Sequence, residues 1–128
     1  MGQQVQRQMF ASPKALAISA AILIAVLVGA AGTEKNFTWI AKSADGWITT
    51  PRDFDIDAPV KLLQDTWSDA GRDGAPQIVA LDFKPDPDKL ARWADLGVTE
   101  VLFGLPDKSE ADVAAYVERL AGKLAALV

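Results

Sequence analysis

A short run of small residues, Gly29, Ala30, Ala31, Gly32 and Thr33, has the composition of a loop that binds an anion. Glycines let the backbone approach a ligand closely and adopt positive φ angles. A helix is predicted to begin directly after this run, so its free amide groups and its dipole would face the loop, and the Thr33 hydroxyl would add a donor. The alternative is a tight strand-to-helix turn that needs small residues for packing. The residues alone leave both interpretations open.

A second segment, Asp45, Gly46 and Trp47, follows the predicted helix and opens the next predicted strand. Gly46 is predicted to lie at the mouth of that strand, where the backbone must come close to a ligand. Trp47 is either a wall of the pocket or part of the core, and the sequence does not choose between the two.

Other acidic groups are interpreted as structural. Asp53, Asp55 and Asp57 have the spacing of calcium ligands, but the glycine and the distal glutamate of a calcium loop are missing. We therefore predict a solvated loop there. Asp86 and Asp88 are predicted to be favourable charges at a helix N-terminus.

Composition limits the remaining chemistry. The 128 residues contain no cysteine and no histidine, which excludes disulfide scaffolds, thiolate nucleophiles and Cys/His zinc sites. Acid–base chemistry would use Asp, Glu, Lys or Tyr, or would be carried by a cofactor. The net charge of −4 and the scattered Lys and Arg residues argue against a nucleic-acid partner. We assign no residue a catalytic or metal-binding role.

The elements that would position these residues alternate between strands and helices. Strands are predicted at residues 24–28, 46–49, 77–83 and 100–105, the first buried on both faces and the third half buried. Helices are predicted at residues 34–44, 58–70 and 87–96, followed by a last helix that Ser109 opens. This order predicts an α/β fold of parallel β/α units. Because a complete (β/α)₈ barrel has about 250 residues, the chain would form half of a TIM-type barrel or a small open sheet.

Helical spacing also predicts which side chains are buried. Trp39, Trp67 and Trp93 recur with other apolar residues and are predicted to lie in the core. The last helix has a predicted buried stripe that consists of Val113, Tyr116, Val117, Leu120, Leu124 and Leu127.

The amino-terminal region has a second interpretation. Residues 1–14 are polar and carry Arg7 and Lys14, and residues 15–32 contain no charge. This layout is typical of a signal peptide, and the apolar residues 15–28 could also form a membrane anchor. A membrane helix and a strand cannot both use residues 27–31. The β/α order downstream favours the strand.

Three ordered segments resemble the luciferase-like monooxygenase superfamily, in particular its coenzyme F-420-dependent oxidoreductases. The segments are VLVGAAGTEKNFTWIAKSADGWI at 26–48, WSDAGRD at 67–73 and PDPDKLARWADLGVTEVLFGLP at 85–106. The resemblance covers about residues 25–128 and implies the C-terminal half of the family's barrel, with four of its eight strands. Residues 1–23 match no part of the family pattern and are taken as an extension to a domain at 24–128.

The resemblance implies a function. The loop of Gly29, Ala30, Ala31, Gly32 and Thr33 would lie beside the phosphate of a deazaflavin cofactor (F-420) or of FMN, and Asp45, Gly46 and Trp47 would complete the cofactor site. The activity would be hydride transfer between the cofactor and a small organic substrate, in the cytoplasm. Two alternatives remain. One is a half barrel without catalysis, or active only when two copies pair. The other is a membrane-anchored or secreted α/β module.

Overall fold

The computed structural model describes residues 25–51 and 55–127, which form four strands alternating with four α-helices. The strands are β1 (Leu27–Gly29), β2 (Gly46–Thr49), β3 (Gln77–Asp82) and β4 (Glu100–Phe103). The helices are α1 (Glu34–Ser43), α2 (Asp57–Asp69), α3 (Pro87–Leu96) and α4 (Glu110–Leu124), followed by a 3₁₀ turn at Ala125–Leu127. The strands form one parallel sheet in the order β1-β2-β3-β4. The predicted α/β fold of parallel β/α units is confirmed.

Local sequence signals fix several helix ends. The side chains of Thr33, Asp86 and Ser109 each accept a hydrogen bond from an amide in the first turn of α1, α3 and α4. These N-caps satisfy amides that a helix cannot pair internally. Gly97 ends α3 with φ 108°, a left-handed conformation that favours glycine. The predicted bounds of α3 and β2 are confirmed, and those of α1 and α2 differ by one residue.

One face of the sheet carries the helices. Trp47 pairs in register with Ile78, and both side chains belong to the buried cluster that contains residues of α1, α2 and α3. Because side chains alternate along a strand, Ala80 points to the same side as Ile78. The hydrophobic core therefore lies between this face and one layer of helices.

The opposite face of the sheet is apolar but lies outside that core. Ile48, Val79 and Glu100 share one row of the register, and Leu81 and Leu102 share the next. Val79 is buried but is not part of the helix-side cluster. Leu102 remains 45% exposed. In the described part of the chain, no helix contributes to this face.

The first strand differs from the prediction. It runs over Leu27–Gly29, so Gly29 belongs to the strand and pairs with Ile48 instead of opening the loop. Leu27 and Val28 are half-buried, and not buried on both faces, because β1 is an edge strand of the described sheet. Just before β1, the Val26 carbonyl accepts a hydrogen bond from the Asp45 amide, and the Val26 amide donates one to the Asp45 carboxylate. Ile24 lies outside the described residues.

The predicted burial of β3 and the predicted end of β4 also differ from the structure. Ile78, Val79 and Ala80 are all buried, because β3 is central and is covered on both sides by neighbouring strands and side chains. The half-buried pattern predicted for this strand was wrong. Strand β4 ends at Phe103 because its last partner, Asp82, is also the last residue of β3.

Two burial predictions for helices failed. Trp39 is 55% exposed, whereas Trp67 and Trp93 lie in the core as predicted. No residue of α4 is fully buried, and Val117 is 45% exposed. Helix α4 follows β4, an edge strand of the described sheet, and among the described residues no later β/α unit covers its apolar stripe.

The prediction for the amino-terminal extension, residues 1–23, falls outside the described residues, as does Asp53. Within residues 25–51 and 55–127, no helix has the length and apolar character that crossing a membrane requires.

Candidate functional site

A cavity of about 680 Å³ opens at the carboxyl ends of β1 and β2. Its lining consists of Gly29, Ala30, Ala31, Gly32, Thr33, Ile48, Thr49, Thr50 and Pro59. The structure thus brings together all five residues of the loop singled out in the sequence. Functional sites of parallel β/α folds lie at this end of the sheet.

The two glycines singled out in this segment differ in how much space surrounds them. A Cβ on Gly32 would come within 2.9 Å of the Pro59 Cβ and 3.3 Å of the Phe37 ring, so this position has no room for a side chain. A Cβ on Gly29 would make only an ordinary contact, 3.5 Å from Ile48. Neither glycine adopts the positive φ angle that the sequence analysis considered for this loop. Packing against α2 explains Gly32.

Thr33 holds the loop to the first turn of α1. Its hydroxyl oxygen accepts a hydrogen bond from the Asn36 amide at 3.3 Å, so the hydroxyl hydrogen remains able to donate. The Thr33 amide and the Asn36 side chain both donate to the Ala31 carbonyl, at 2.8 and 2.9 Å. The amides of Glu34 and Lys35 begin the helix and have no partner within it. These hydrogen bonds join the loop to α1, and the positive end of the α1 dipole lies next to the cavity.

Trp47 supports the loop from beneath. It is 1% exposed and does not line the cavity, so it belongs to the core. Its ring meets Phe37 edge-on at 4.9 Å, and its Nε1 donates a hydrogen bond of 2.8 Å to the Ala30 carbonyl. The choice that the sequence left open, between pocket wall and core, is therefore settled in favour of core.

Asp45 and Gly46 lie at the amino end of β2, the opposite end of the sheet from the cavity. The Asp45 carboxylate accepts a hydrogen bond from the Val26 amide at 2.7 Å and joins β1 to β2. A Cβ on Gly46 would lie only 1.9 Å from the Gln77 carbonyl oxygen. The close approach predicted for Gly46 is thus made to the neighbouring strand.

Thr49 is a site residue that the sequence reasoning missed. It lines the cavity, is 6% exposed, and is the buried polar residue of the described core. Among the described residues, no group forms a hydrogen bond with its hydroxyl. The Thr49 hydroxyl is therefore available to a hydrogen-bonding partner.

A second feature missed in the sequence lies at the carboxyl end of β3. The Lys89 ammonium forms an ion pair with the Asp82 carboxylate, donates to the Lys84 carbonyl at 3.0 Å, and lies 5.1 Å from the Trp93 ring centroid. The other Asp82 oxygen accepts from the Phe83 amide at 2.8 Å. Because both charges are paired, this arrangement ties the loop after β3 to α3.

Acidic residues near the start of α2 also form ion pairs that join two elements. Asp55 and Asp57 both lie beside the Arg92 guanidinium, which joins the start of α2 to α3. The Asp57 amide also donates to Asp55, and this hydrogen bond is the main reason that the pKa of Asp55 lies below its ordinary value. Asp55 is exposed, as predicted, whereas Asp57 is half-buried and begins α2 instead of lying in the predicted loop. Both carboxylates are ion-paired.

Comparison with known proteins finds relatives of greater length. The chain is 81% identical over 105 residues to uncharacterized protein Rv0953c of Mycobacterium tuberculosis and to uncharacterized protein Mb0978c of Mycobacterium bovis. The match covers 82% of this chain and 37% of each relative, so the chain spans little more than a third of the curated relatives it matches. No protein-family model and no solved structure matches the chain.

Proposed function

We propose that the chain is part of a luciferase-like (β/α)₈-barrel oxidoreductase and that its cavity binds the phosphate-bearing part of a deazaflavin cofactor (F-420) or of FMN. The carrying observation is that the 29–33 loop, which leads into the start of α1, and the polar residue Thr49 line one cavity. The family resemblance supplies the identity of the cofactor.

The sheet topology supports the barrel part of the proposal. In a doubly wound fold the strand order reverses and helices cover both faces. Here the order is sequential, and the helix-side cluster occupies one face only, which is the arrangement of a barrel wall. The matched 105 residues are 37% of each relative, which puts the relatives at about 280 residues, close to the roughly 250 of a complete barrel.

The residues present fit a phosphate group. The first amides of α1 and the hydroxyls of Thr33, Thr49 and Thr50 are donors, and no carboxylate belongs to the described lining of the cavity. Amides at a helix start bind anions well because the dipole adds to their hydrogen bonds. A bound deazaflavin or flavin would supply the hydride chemistry. The residues of this chain would bind and orient it, and none of them is assigned a catalytic role.

The test is a fluorescence titration of the folded 128-residue chain with F-420 and, separately, with FMN. Thr49→Val keeps the shape of the side chain and removes the hydroxyl. We expect about tenfold weaker binding, since one hydrogen bond to a charged group contributes about 1.5–3 kcal/mol. Thr66→Val is the matched control, because its hydroxyl bonds to the Leu62 carbonyl on α2.

The control should bind like the unmodified chain. If a folded sample binds neither cofactor at high micromolar concentration, the cofactor proposal fails. If Thr49→Val binds normally, the cofactor lies elsewhere than in this cavity.

We also propose that the chain is located in the cytoplasm, because a membrane helix would use the residues that form β1. Residues 27–29 form a strand that leads into the cavity loop, and a membrane helix through residues 15–28 would remove that strand. Fractionation of the native host should recover a soluble chain with an intact N-terminus. A membrane-bound chain, or one cleaved near Ala30, would contradict this.

A further inference from the structure

Two Asp-Gly pairs occur in the chain, Asp45–Gly46 and Asp73–Gly74. In such a pair the aspartate can rearrange without an enzyme, because glycine has no side chain to shield its amide nitrogen from the neighbouring carboxyl group. The rearrangement needs a backbone that can rotate until the amide nitrogen reaches the carboxyl carbon. The surroundings of the two pairs therefore decide which of them can react in the folded chain.

The pair Asp73–Gly74 lies in the turn between α2 and β3, and both residues are exposed. Gly74 has φ 69°, and a Cβ placed on it would meet no atom within 4 Å. Among the described residues, no group forms a hydrogen bond with the Asp73 carboxylate or with the Gly74 amide. Exposed turns of small and polar residues have the lowest local stability in a fold. The carboxylate and the amide are thus free to approach each other.

The pair Asp45–Gly46 is held on every side. The Asp45 carboxylate accepts a hydrogen bond of 2.7 Å from the Val26 amide. Gly46 is buried in β2 and is paired in register with both Leu27 of β1 and Gln77 of β3. Rotation of this peptide unit would disrupt both strand pairings and would bury unpaired backbone groups. The same dipeptide is therefore protected here by the sheet.

We propose that Asp73 is a site of spontaneous isomerisation to isoaspartate in the folded chain and that Asp45 is not. The Gly74 amide nitrogen attacks the protonated carboxyl carbon of Asp73. A nitrogen–carbon bond forms, the carbon–hydroxyl bond breaks, and the hydroxyl leaves as water with the amide proton. The resulting succinimide takes up water again. Addition at the side-chain carbonyl restores aspartate, whereas addition at the main-chain carbonyl breaks the original peptide bond and leaves Gly74 joined through the side-chain carbon.

The turn can accept the isoaspartyl product. The main chain gains one carbon, and the former Asp73 carbonyl becomes a free carboxylate, so the net charge is unchanged. In the unmodified chain this carbonyl accepts a hydrogen bond of 3.4 Å from the Trp67 Nε1. The Arg72 guanidinium lies 4.0 Å from the centroid of the Trp67 ring. A carboxylate is a stronger acceptor than the carbonyl that it replaces and would lie beside this cation.

The test is prolonged incubation of the folded 128-residue chain at near-neutral pH and physiological temperature, and it requires nothing of the proposed function. Isoaspartate is measured with an isoaspartyl methyltransferase and labelled S-adenosylmethionine, and its position is determined by mass-spectrometric fragmentation. We expect label to accumulate at residue 73 and to be absent from residue 45. Asp73→Glu keeps the charge but would have to form a larger ring that closes slowly, so this variant should lose the label.

The matched control is the same incubation in urea, where both pairs should become labelled because the protection of Asp45 comes from the fold. Far-UV circular dichroism should show that Asp73→Glu remains folded. Label at residue 73 in urea but not in the folded chain would overturn the proposal. Equal labelling of residues 45 and 73 in the folded chain would also overturn it, as would full labelling of folded Asp73→Glu.

Discussion

The indole Nε1 of Trp47 donates a hydrogen bond of 2.8 Å to the carbonyl oxygen of Ala30. The donor belongs to the buried core between sheet and helices, and the acceptor lines the cavity. This bond couples the packing of the core to the position of the loop. A core residue thereby affects the site without touching its contents.

Replacing Trp47 with phenylalanine is expected to lower the free energy of unfolding by about 1–3 kcal/mol. The Ala30 carbonyl would lose its donor, and the smaller ring would leave a gap against Phe37. The matched control is Trp39→Phe, because Trp39 is exposed, and it should change stability by less than about 0.5 kcal/mol. Urea unfolding measures both. Equal losses in the two variants would show that the hydrogen bond is unimportant.

Gly46→Ala is expected to destabilise the sheet strongly. The new Cβ would lie 1.9 Å from the Gln77 carbonyl oxygen, so strands β2 and β3 must separate locally. Overpacking of this kind costs about 1–3 kcal/mol or more. Gly122→Ala is the opposite case, because Gly122 lies within α4 with open space around it. Alanine there should stabilise the chain by about 0.4–1 kcal/mol. Thermal melting of the two variants should therefore shift in opposite directions.

Thr33→Ala and Ser109→Ala each remove a hydroxyl that caps a helix, and the Ser109 hydroxyl also donates to the Asp112 carboxylate at 2.7 Å. Each hydroxyl oxygen accepts a hydrogen bond of 3.3 Å from an amide three residues later, so each variant should lose about 1 kcal/mol of stability. Only Thr33 lines the cavity. Under the proposed function, Thr33→Ala should also weaken cofactor binding, whereas Ser109→Ala should leave it unchanged. Parallel weakening in both variants would assign the effect to general destabilisation.

The pKa of Asp55 links pH to the junction between α2 and α3. It lies below the ordinary value of 3.8, first because the Asp57 amide donates to the carboxylate, and further because of the Arg92 guanidinium. Because the folded-state pKa is lowered, the stabilising contribution is present above the ordinary pKa. It is lost as the pH falls through the folded-state value.

Arg92→Gln should raise the pKa of Asp55 but leave it below 3.8, since the Asp57 amide still donates. A carboxyl titration followed by NMR would measure this. An unchanged pKa in Arg92→Gln would mean that the guanidinium does not act on Asp55.

Much of the fold could be predicted because its signals are local. Thr33 and Ser109 cap helices through their own side chains, and Gly97 ends α3 through its own φ angle. The exposure of Val117 and Trp39 could not be predicted from local signals. Helical spacing tells which side of a helix is apolar, but burial depends on whether a neighbouring unit covers that side.

Part of the candidate site could also be predicted because its sequence signals are local. The small residues from Gly29 to Thr33 are visible in the sequence. Gly29 ends β1 and the others follow it, so all of them lie at the carboxyl end of that strand. Asp45 precedes β2 and Gly46 is its first residue, so in a parallel sheet both lie at the other end. Strand direction alone could have separated the two groups. Thr49 was missed because its importance depends on the loop of another unit folding over it.

The sequential strand order also determines how the chain can fold. Within the described sheet, each strand pairs with the strand that follows it along the chain, and no pairing joins distant units. Low separation between pairing partners favours fast folding. The units can be added one after another as the polypeptide leaves the ribosome. Gain or loss of a terminal unit would alter a single strand junction, so an array of this kind can change length while its interior junctions stay intact.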